Sequence, residues 1–393
     1  MNERVEIRGG GRIQKGAAVI TLVGVITLIP AGIFDPRELF FAYLTAYNFV
    51  VSIALGALVF LMICHAMHAG WPTLLRRLTE AMVAAIPLHA LLFVPILLGL
   101  PVLYPWVRPD RIADPRLRRL VGVQAPYLNV GWFVIRAVFF FAVWTAVGFW
   151  LRRWSQARDR GAGAAVDGRM YALSGVMLPL VALTLSFASF DWIMSLTPEW
   201  HSTMFPVYYF AGGFLGALAL LTVLTFAADR AGLIGGINGS HYYALGRLLL
   251  SFVIFWAYVA FFQLLLIWSA DRPDEVTFYL ARLQGGWVAV TVILVLGQFV
   301  LPFLALLSYD LKRRPALLTG VAVWLLVAHY VDVYWLVMPA APRASISHGV
   351  VDVGALLALG GLSVIHGVWR LRGVPLVPLH DPALAEALRY ESL

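Results

Sequence analysis

The sequence predicts an all-α polytopic membrane protein with ten transmembrane helices and no soluble domain able to do chemistry alone. Three observations predict it. Hydrophobic residues make up 61% of the 393 and charged residues 13%, about half the charged share of a soluble domain. Apolar runs recur along the chain, and no stretch between them exceeds about 25 residues, too short for the two or three soluble domains that length alone suggests. The runs are also too long and too aliphatic for barrel strands, which are roughly ten residues and alternating.

A bilayer core takes about 20 apolar residues per helix. Ten windows qualify: 17–33, 48–66, 81–104, 129–151, 170–195, 204–228, 245–268, 285–308, 316–339 and 350–370. The first has a basic start and an apolar core, like a signal peptide, but Phe34-Asp35-Pro36-Arg37 follows it instead of small residues. It is therefore expected to be a retained helix. The second ends in His65-Ala66-Met67-His68, and Pro87 and Pro95 kink the third. Residues 1–16 form an N-terminal segment, 17–370 the membrane domain and 371–393 a C-terminal tail. Pro378 and Pro382 make the tail extended, with a short helix expected from Pro382 to Tyr390.

Ten spans place both termini on one side. That side collects eighteen Lys and Arg residues and the opposite side nine, with Arg136 and Arg247 inside spans. The bias predicts cytoplasmic termini, although the Arg-rich loop at 105–128 runs against it. The net charge of +8 then belongs to orientation and anionic headgroups, not nucleic acid. One cysteine, Cys64, excludes an internal disulfide, an iron–sulfur cluster or a structural zinc site.

A charge at mid-membrane costs at least about 2.5–3.5 kcal/mol, so such residues must face protein or water. By depth, Arg136, Asp191, Gln263, Asp332 and Asp352 fall in the outer half, His89, Gln298 and His329 near the middle, and His65, Arg247 and His366 in the inner half. His329 and Asp332 are three apart and share a helix face. A carboxylate beside an imidazole can hold or pass a proton; the alternative is a buried pair that only fixes packing. Arg136 either neutralises a carboxylate or snorkels outward, and Arg247 is expected to snorkel. No bis-histidine pattern suited to haem is present. Asp191 and Asp332 each precede a proline (Pro198, Pro339) by seven residues, which would set both about 10 Å below the outer helix end. If spans 2–5 and 6–9 are two four-helix bundles, each Asp lies on the fourth helix of a parallel repeat.

Longer stretches carry a resemblance. They include Ala69-Gly70-Trp71-Pro72-Thr73-Leu74-Leu75-Arg76-Arg77, Phe190-Asp191-Trp192-Ile193-Met194-Ser195-Leu196, Trp200-His201-Ser202-Thr203-Met204-Phe205, Tyr279-Leu280-Ala281-Arg282-Leu283-Gln284-Gly285-Gly286-Trp287, Ser308-Tyr309-Asp310-Leu311-Lys312-Arg313 and Pro378-Leu379-His380-Asp381-Pro382. Over roughly residues 40 to 390 the chain resembles the ActF-type, NrfD-like membrane subunit of alternative complex III, a quinol:cytochrome c oxidoreductase. The resemblance implies ten helices as two four-helix bundles plus two flanking helices, in a bacterial inner membrane. It implies three kinds of partner: a paralogous NrfD-like subunit, an iron–sulfur subunit with a molybdopterin-enzyme-like domain, and multihaem c-type cytochromes. It also implies a chain without cofactors of its own, with a structural and proton-conducting role.

Three functions follow as expectations. The first is a cofactor-free respiratory subunit with a proton path through Asp191, Asp332, His329, Asp352, Arg136, His89, His65 and His366. The second is a quinol or quinone site in this chain, using Asp191 with Arg136 or His329 with Asp332 as proton acceptors. The third is a stand-alone secondary transporter. That reading lacks an obvious pair of broken helices at mid-membrane, since the eighth span has only Pro302.

Overall fold

The computed structural model describes residues 10–161, 163–341, 349–378 and 380–392. The start of the N-terminal segment and the 342–348 loop with Arg343 lie outside the described residues. The described chain is all α, with nine helical stretches long and apolar enough to cross a membrane, or ten if one bent helix pair counts as a single span. This is a multi-pass membrane protein.

In chain order the helices are α1 (Gly10–Phe34), α2 (Pro36–Ala66), α3 (Arg76–Val83), α4 (Ile86–Leu92), α5 (Val94–Leu103), α6 (Pro115–Gln124), α7 (Val130–Asp159) and α8 (Ala164–Trp192). There follow α9 (Phe205–Arg230), α10 (Gly239–Ala270), α11 (Pro273–Leu280), α12 (Trp287–Leu294), α13 (Leu301–Leu307), α14 (Tyr309–Arg313), α15 (Pro315–Val337), α16 (Val350–Leu371) and α17 (Leu384–Leu388).

Several expected boundaries change, each for a local reason. The second span begins at Pro36 and not at 48, because Asp35 caps it through Arg37 N and Glu38 N and Pro36 occupies the first turn. A proline there lacks only an N–H that has no helical partner anyway. The fourth span runs eight residues past 151, to Asp159; its added turns carry Ser155 and Arg158, which are buried. The expected tail helix shortens to Leu384–Leu388.

The third span is broken, not merely kinked: Trp71–Leu92 and Val94–Leu103 meet at 53°. Pro87 and Pro95 remove helical N–H donors and push away the carbonyls four residues before them. Side chains of neighbouring helices take up carbonyls near the breaks. Tyr43 and Tyr47, one turn apart on α2, donate to Leu92 O at 2.8 Å and His89 O at 3.0 Å. His366 Nε2, on α16, lies 2.9 Å from Ala84 O. The eighth span keeps its direction but widens into a π turn over Val295–Val300, just before Pro302. There Trp324 Nε1 donates to Gly297 O at 2.8 Å.

The core is the α2–α9 pair. Their apolar windows are 72% and 67% buried, against 11% for α1, so α2 and α9 are central and α1 is peripheral. Lipid is as apolar as leucine, so helices in a membrane associate by close packing and hydrogen bonds. The α2–α9 crossing shows this directly. A Cβ on Gly56 would lie 2.6 Å from Gly213 O, and one on Gly213 would lie 2.8 Å from Ser52 Cβ. Around this pair, α2 packs on α8, α15, α16 and the broken span, while α9 packs on α15, α10 and α8. Each central helix thus touches both α8 and α15. The helix α1 packs chiefly on α16, and Gln14 Nε2 donates to Ile365 O at 3.2 Å.

The tail is not loose. Asp381, buried, pairs with Arg76 and with Arg158, and α17 packs on the Trp71–Leu75 turn. The tail therefore closes the face at which α1 begins and α16 ends.

Candidate functional site

The in-membrane polar residues fall into separate sets. The first joins α7 to α8. Arg136 grips Asp191 with two hydrogen bonds, Nε to Oδ2 at 2.7 Å and Nη2 to Oδ1 at 3.0 Å. Its third nitrogen donates to Tyr127 O at 2.9 Å, and the guanidinium lies 3.9 Å from the Tyr127 ring centroid. Burial pushes the Tyr127 phenol well above its usual range, and the Asp191 charge adds to this. Arg136 is thus a neutralising partner and does not snorkel. The expected depth match between the two aspartates fails. The α-helix ends at Trp192, one residue past Asp191, whereas α15 continues five residues past Asp332. A 3-10 turn, Met194–Leu196, takes up the remainder before Pro198.

The second set lies where α2, α9, α10 and α15 converge. Asp332 is 2% exposed and His329 1%. Tyr208 donates to Asp332 Oδ1, and Trp256 Nε1 donates to Oδ2 at 3.2 Å. On the same face, His329 Nδ1 is 3.8 Å from Asp332 Oδ2, too far for a hydrogen bond. His329 Nε2 is 3.0 Å from Ser52 Oγ, and that hydroxyl donates to Phe49 O at 3.0 Å. A serine has one hydrogen to give, so Oγ accepts from His329, and Nε2 carries the ring proton. That assignment follows from the network. It leaves Nδ1 facing the Asp332 carboxylate without a hydrogen bond between them.

Glycines on α9 make the convergence possible. A Cβ on Gly212 would meet Asp332 Oδ2 at 2.9 Å, and one on Gly216 would meet His329 Cδ2 at 2.8 Å.

The third set lies on the broken span. His89 is fully enclosed, and its Nε2 lies 3.1 Å from Ser363 Oγ of α16. Both side chains line an otherwise apolar cavity of about 280 Å³. Phe49 lines the same cavity, and its ring packs tilted against the His329 ring with centroids 5.5 Å apart. His89 thus lines this cavity directly, whereas His329 lies behind Phe49 and is not part of its wall. A second cavity, of about 620 Å³, lies between α10 and the π-bearing eighth span. Tyr208, Trp256, Tyr279 and Trp335 line it, with lipid-facing Tyr258 and Phe261.

The remaining sequence candidates stand apart. His65 is buried at the end of α2 with Nε2 unpaired. Asp352 is buried on α16, and its backbone carbonyl accepts from the Tyr330 hydroxyl at 3.1 Å. Arg247 lies within hydrogen-bond reach of Ser392 Oγ, 3.4 Å away in the tail. Gln263 and Gln298 are buried, and neither amide oxygen of these two side chains has a protein donor. The outer residues therefore do not form one cluster: Asp191 and Asp332 have wholly separate partners. Among the described residues no group of three His, Cys, Asp or Glu side chains is placed to hold a metal ion.

Sequence reading missed Ser52, Tyr208, Trp256 and Arg282. Arg282, counted as a loop cation, is 2% exposed. It donates to Trp335 O and Leu336 O at 3.0 and 2.9 Å and stacks 3.4 Å from the Phe278 centroid. It thereby closes the end of α15 beyond Asp332, where helix carbonyls favour a cation. Burial pulls its guanidinium down to about 9, which leaves it charged at neutral pH. The available signal was the Gly212–Gly216 pair on α9, small residues four apart that admit a close neighbour.

No family model matches the chain, and no curated protein matches it.

Proposed function

We propose that this chain is a cofactor-free membrane subunit of a respiratory quinol:cytochrome c or terminal-oxidase oxidoreductase, and that it scaffolds the complex and conducts protons. The observation that carries the proton role is the buried Ser52–His329–Asp332–Tyr208 network, whose Nδ1 and Oδ2 face each other 3.8 Å apart. His89, which lines the same cavity as Phe49, is the next acceptor toward the face that holds the tail. In this reading both termini are cytoplasmic in a bacterial inner membrane, as the Lys and Arg count favours. The α2–α8 and α9–α15 contacts, with α8 also on α9 and α15 also on α2, support two parallel four-helix bundles, spans 2–5 and 6–9, flanked by α1 and α16.

The respiratory setting rests on the sequence resemblance, and purification tests it. A tagged chain drawn from its native membrane is expected to bring a second NrfD-like subunit, an iron–sulfur protein and multihaem cytochromes, visible as a c-type haem spectrum. Isolation as a haem-free single chain would refute it.

One observation favours a second reading, a quinol site in this chain. The 620 Å³ chamber is aromatic and borders lipid-facing residues, and two of its lining side chains, Tyr208 and Trp256, are the donors to Asp332. Binding sites of this size and apolar lining suit small-molecule ligands. A Phe261→Trp variant that narrows the chamber is expected to weaken quinol-analogue binding; unchanged binding would remove this reading. The transporter reading gains less. The broken third span is second in its bundle, whereas its counterpart α10 runs unbroken for 32 residues.

A further inference from the structure

The face that carries the tail holds a dense charge cluster in which each carboxylate is paired with an arginine, although Glu80 Oε1 and Asp159 Oδ1 have no hydrogen-bond partner. Arg77 holds Glu80 and Asp159, Arg158 holds Asp167 and Asp381, and Arg76 shares Asp381. Among the described residues, Arg152 of α7 and Arg370 of α16 stand beside this network without a carboxylate within ion-pair distance. Arg152 donates instead to the backbone carbonyl of Arg370, which brings the two cations together. The Arg370 guanidinium lies over the ring of Trp369, at 5.6 Å. Arg152 Nη1 and Arg370 Nε have no protein acceptor.

Two like charges held side by side repel, and guanidinium donors left unpaired are costly. Glu80 acts on Arg152 from a distance, but its bound oxygen belongs to Arg77. An anion from outside the chain would resolve both problems. The position says what kind. Trp150 and Trp369, exposed at 43% and 53%, flank the pair on α7 and α16, and exposed tryptophans mark the headgroup level of a bilayer. Arginine pairs suit phosphate oxygens, which accept several N–H donors at once.

We propose that Arg152 and Arg370 form a binding site for a phosphate group at the membrane surface, supplied by an anionic phospholipid. The two side chains bridge α7 and α16, so the bound lipid ties the flanking α16 to the first bundle.

The test uses the full chain in a neutral detergent, with native mass spectrometry to count bound lipid. Phosphatidylglycerol is expected to bind about tenfold more tightly than phosphatidylcholine. The preference is expected to vanish in Arg152→Gln/Arg370→Gln and to persist in Arg152→Lys/Arg370→Lys, which guards against misfolding as the cause. Arg153→Gln, on the same helix, is expected to keep it. Loss of the lipid preference on adding millimolar inorganic phosphate, with phosphate retained by wild type but not by the Gln pair, would assign the site to free phosphate. Equal phosphatidylglycerol binding by wild type and the Gln pair, or no preference in wild type, would overturn the proposal.

Discussion

The two single substitutions of the Arg136–Asp191 pair are expected to cost, summed, far more than removing both partners together. Asp191 is fully buried and takes two hydrogen bonds from Arg136. Arg136→Gln leaves that carboxylate enclosed without its cation, which costs roughly 3–5 kcal/mol. Asp191→Asn is milder, because the guanidinium keeps Tyr127 O and the Tyr127 ring; about 1.5–3 kcal/mol is lost with the charge-assisted bonds. In Arg136→Gln/Asp191→Asn the two amides can hydrogen-bond each other, and only about 2 kcal/mol should be lost. The coupling energy is then about 2.5–6 kcal/mol in magnitude. Thermal or denaturant unfolding of the four proteins in one detergent measures it. Single costs that add to within about 0.5 kcal/mol would refute the reasoning, because they would mean that Arg136 reaches the headgroups independently of Asp191.

Other predictions follow from close contacts and charge. Gly212→Ala drives a methyl to within 2.9 Å of Asp332 Oδ2 and should cost about 1–3 kcal/mol, read as a lower Tm; an unchanged Tm would mean α9 and α15 have room to part. Asp381→Ala removes the shared partner of Arg76 and Arg158, so limited proteolysis should cut the tail faster while the helices remain intact. In the α14 turn, burial and then Arg247 pull Lys312 below its ordinary pKa. The unfolded chain therefore binds more protons between the folded value and 10.5. Stability should rise with pH across that alkaline window, and Lys312→Met should flatten the rise.

Hydropathy made most of the fold legible because each crossing needs a long apolar run whatever surrounds it. It did not reveal that α2 starts at Pro36, since Arg37 and Glu38 interrupt the apolar pattern while Asp35 caps the helix. Nor could it show that the third span breaks. Two prolines announce a disturbance, but its size depends on Tyr43 and Tyr47 of another helix donating hydrogen bonds to the exposed carbonyls. At the candidate site, the three-residue spacing of His329 and Asp332 was enough to place them on one face. Their surroundings were not readable: Ser52, Tyr208 and Trp256 are ordinary residues for a membrane helix, and tertiary packing alone brings them to the pair. The shared seven-residue spacing to proline misled for the same reason, because Asp191 lies at an α-helix end and Asp332 lies within one.

Proton flux tests the central claim most directly. The purified protein, with any partners it retains, is reconstituted in liposomes under an imposed potential, and internal pH is followed by a trapped dye. Wild type is expected to acidify or alkalinise the lumen, with the rate falling at least about tenfold in both Asp332→Asn and His329→Gln, while Asp352→Asn retains it. Equal rates in wild type and Asp332→Asn, in protein shown to be folded and inserted, would contradict the account.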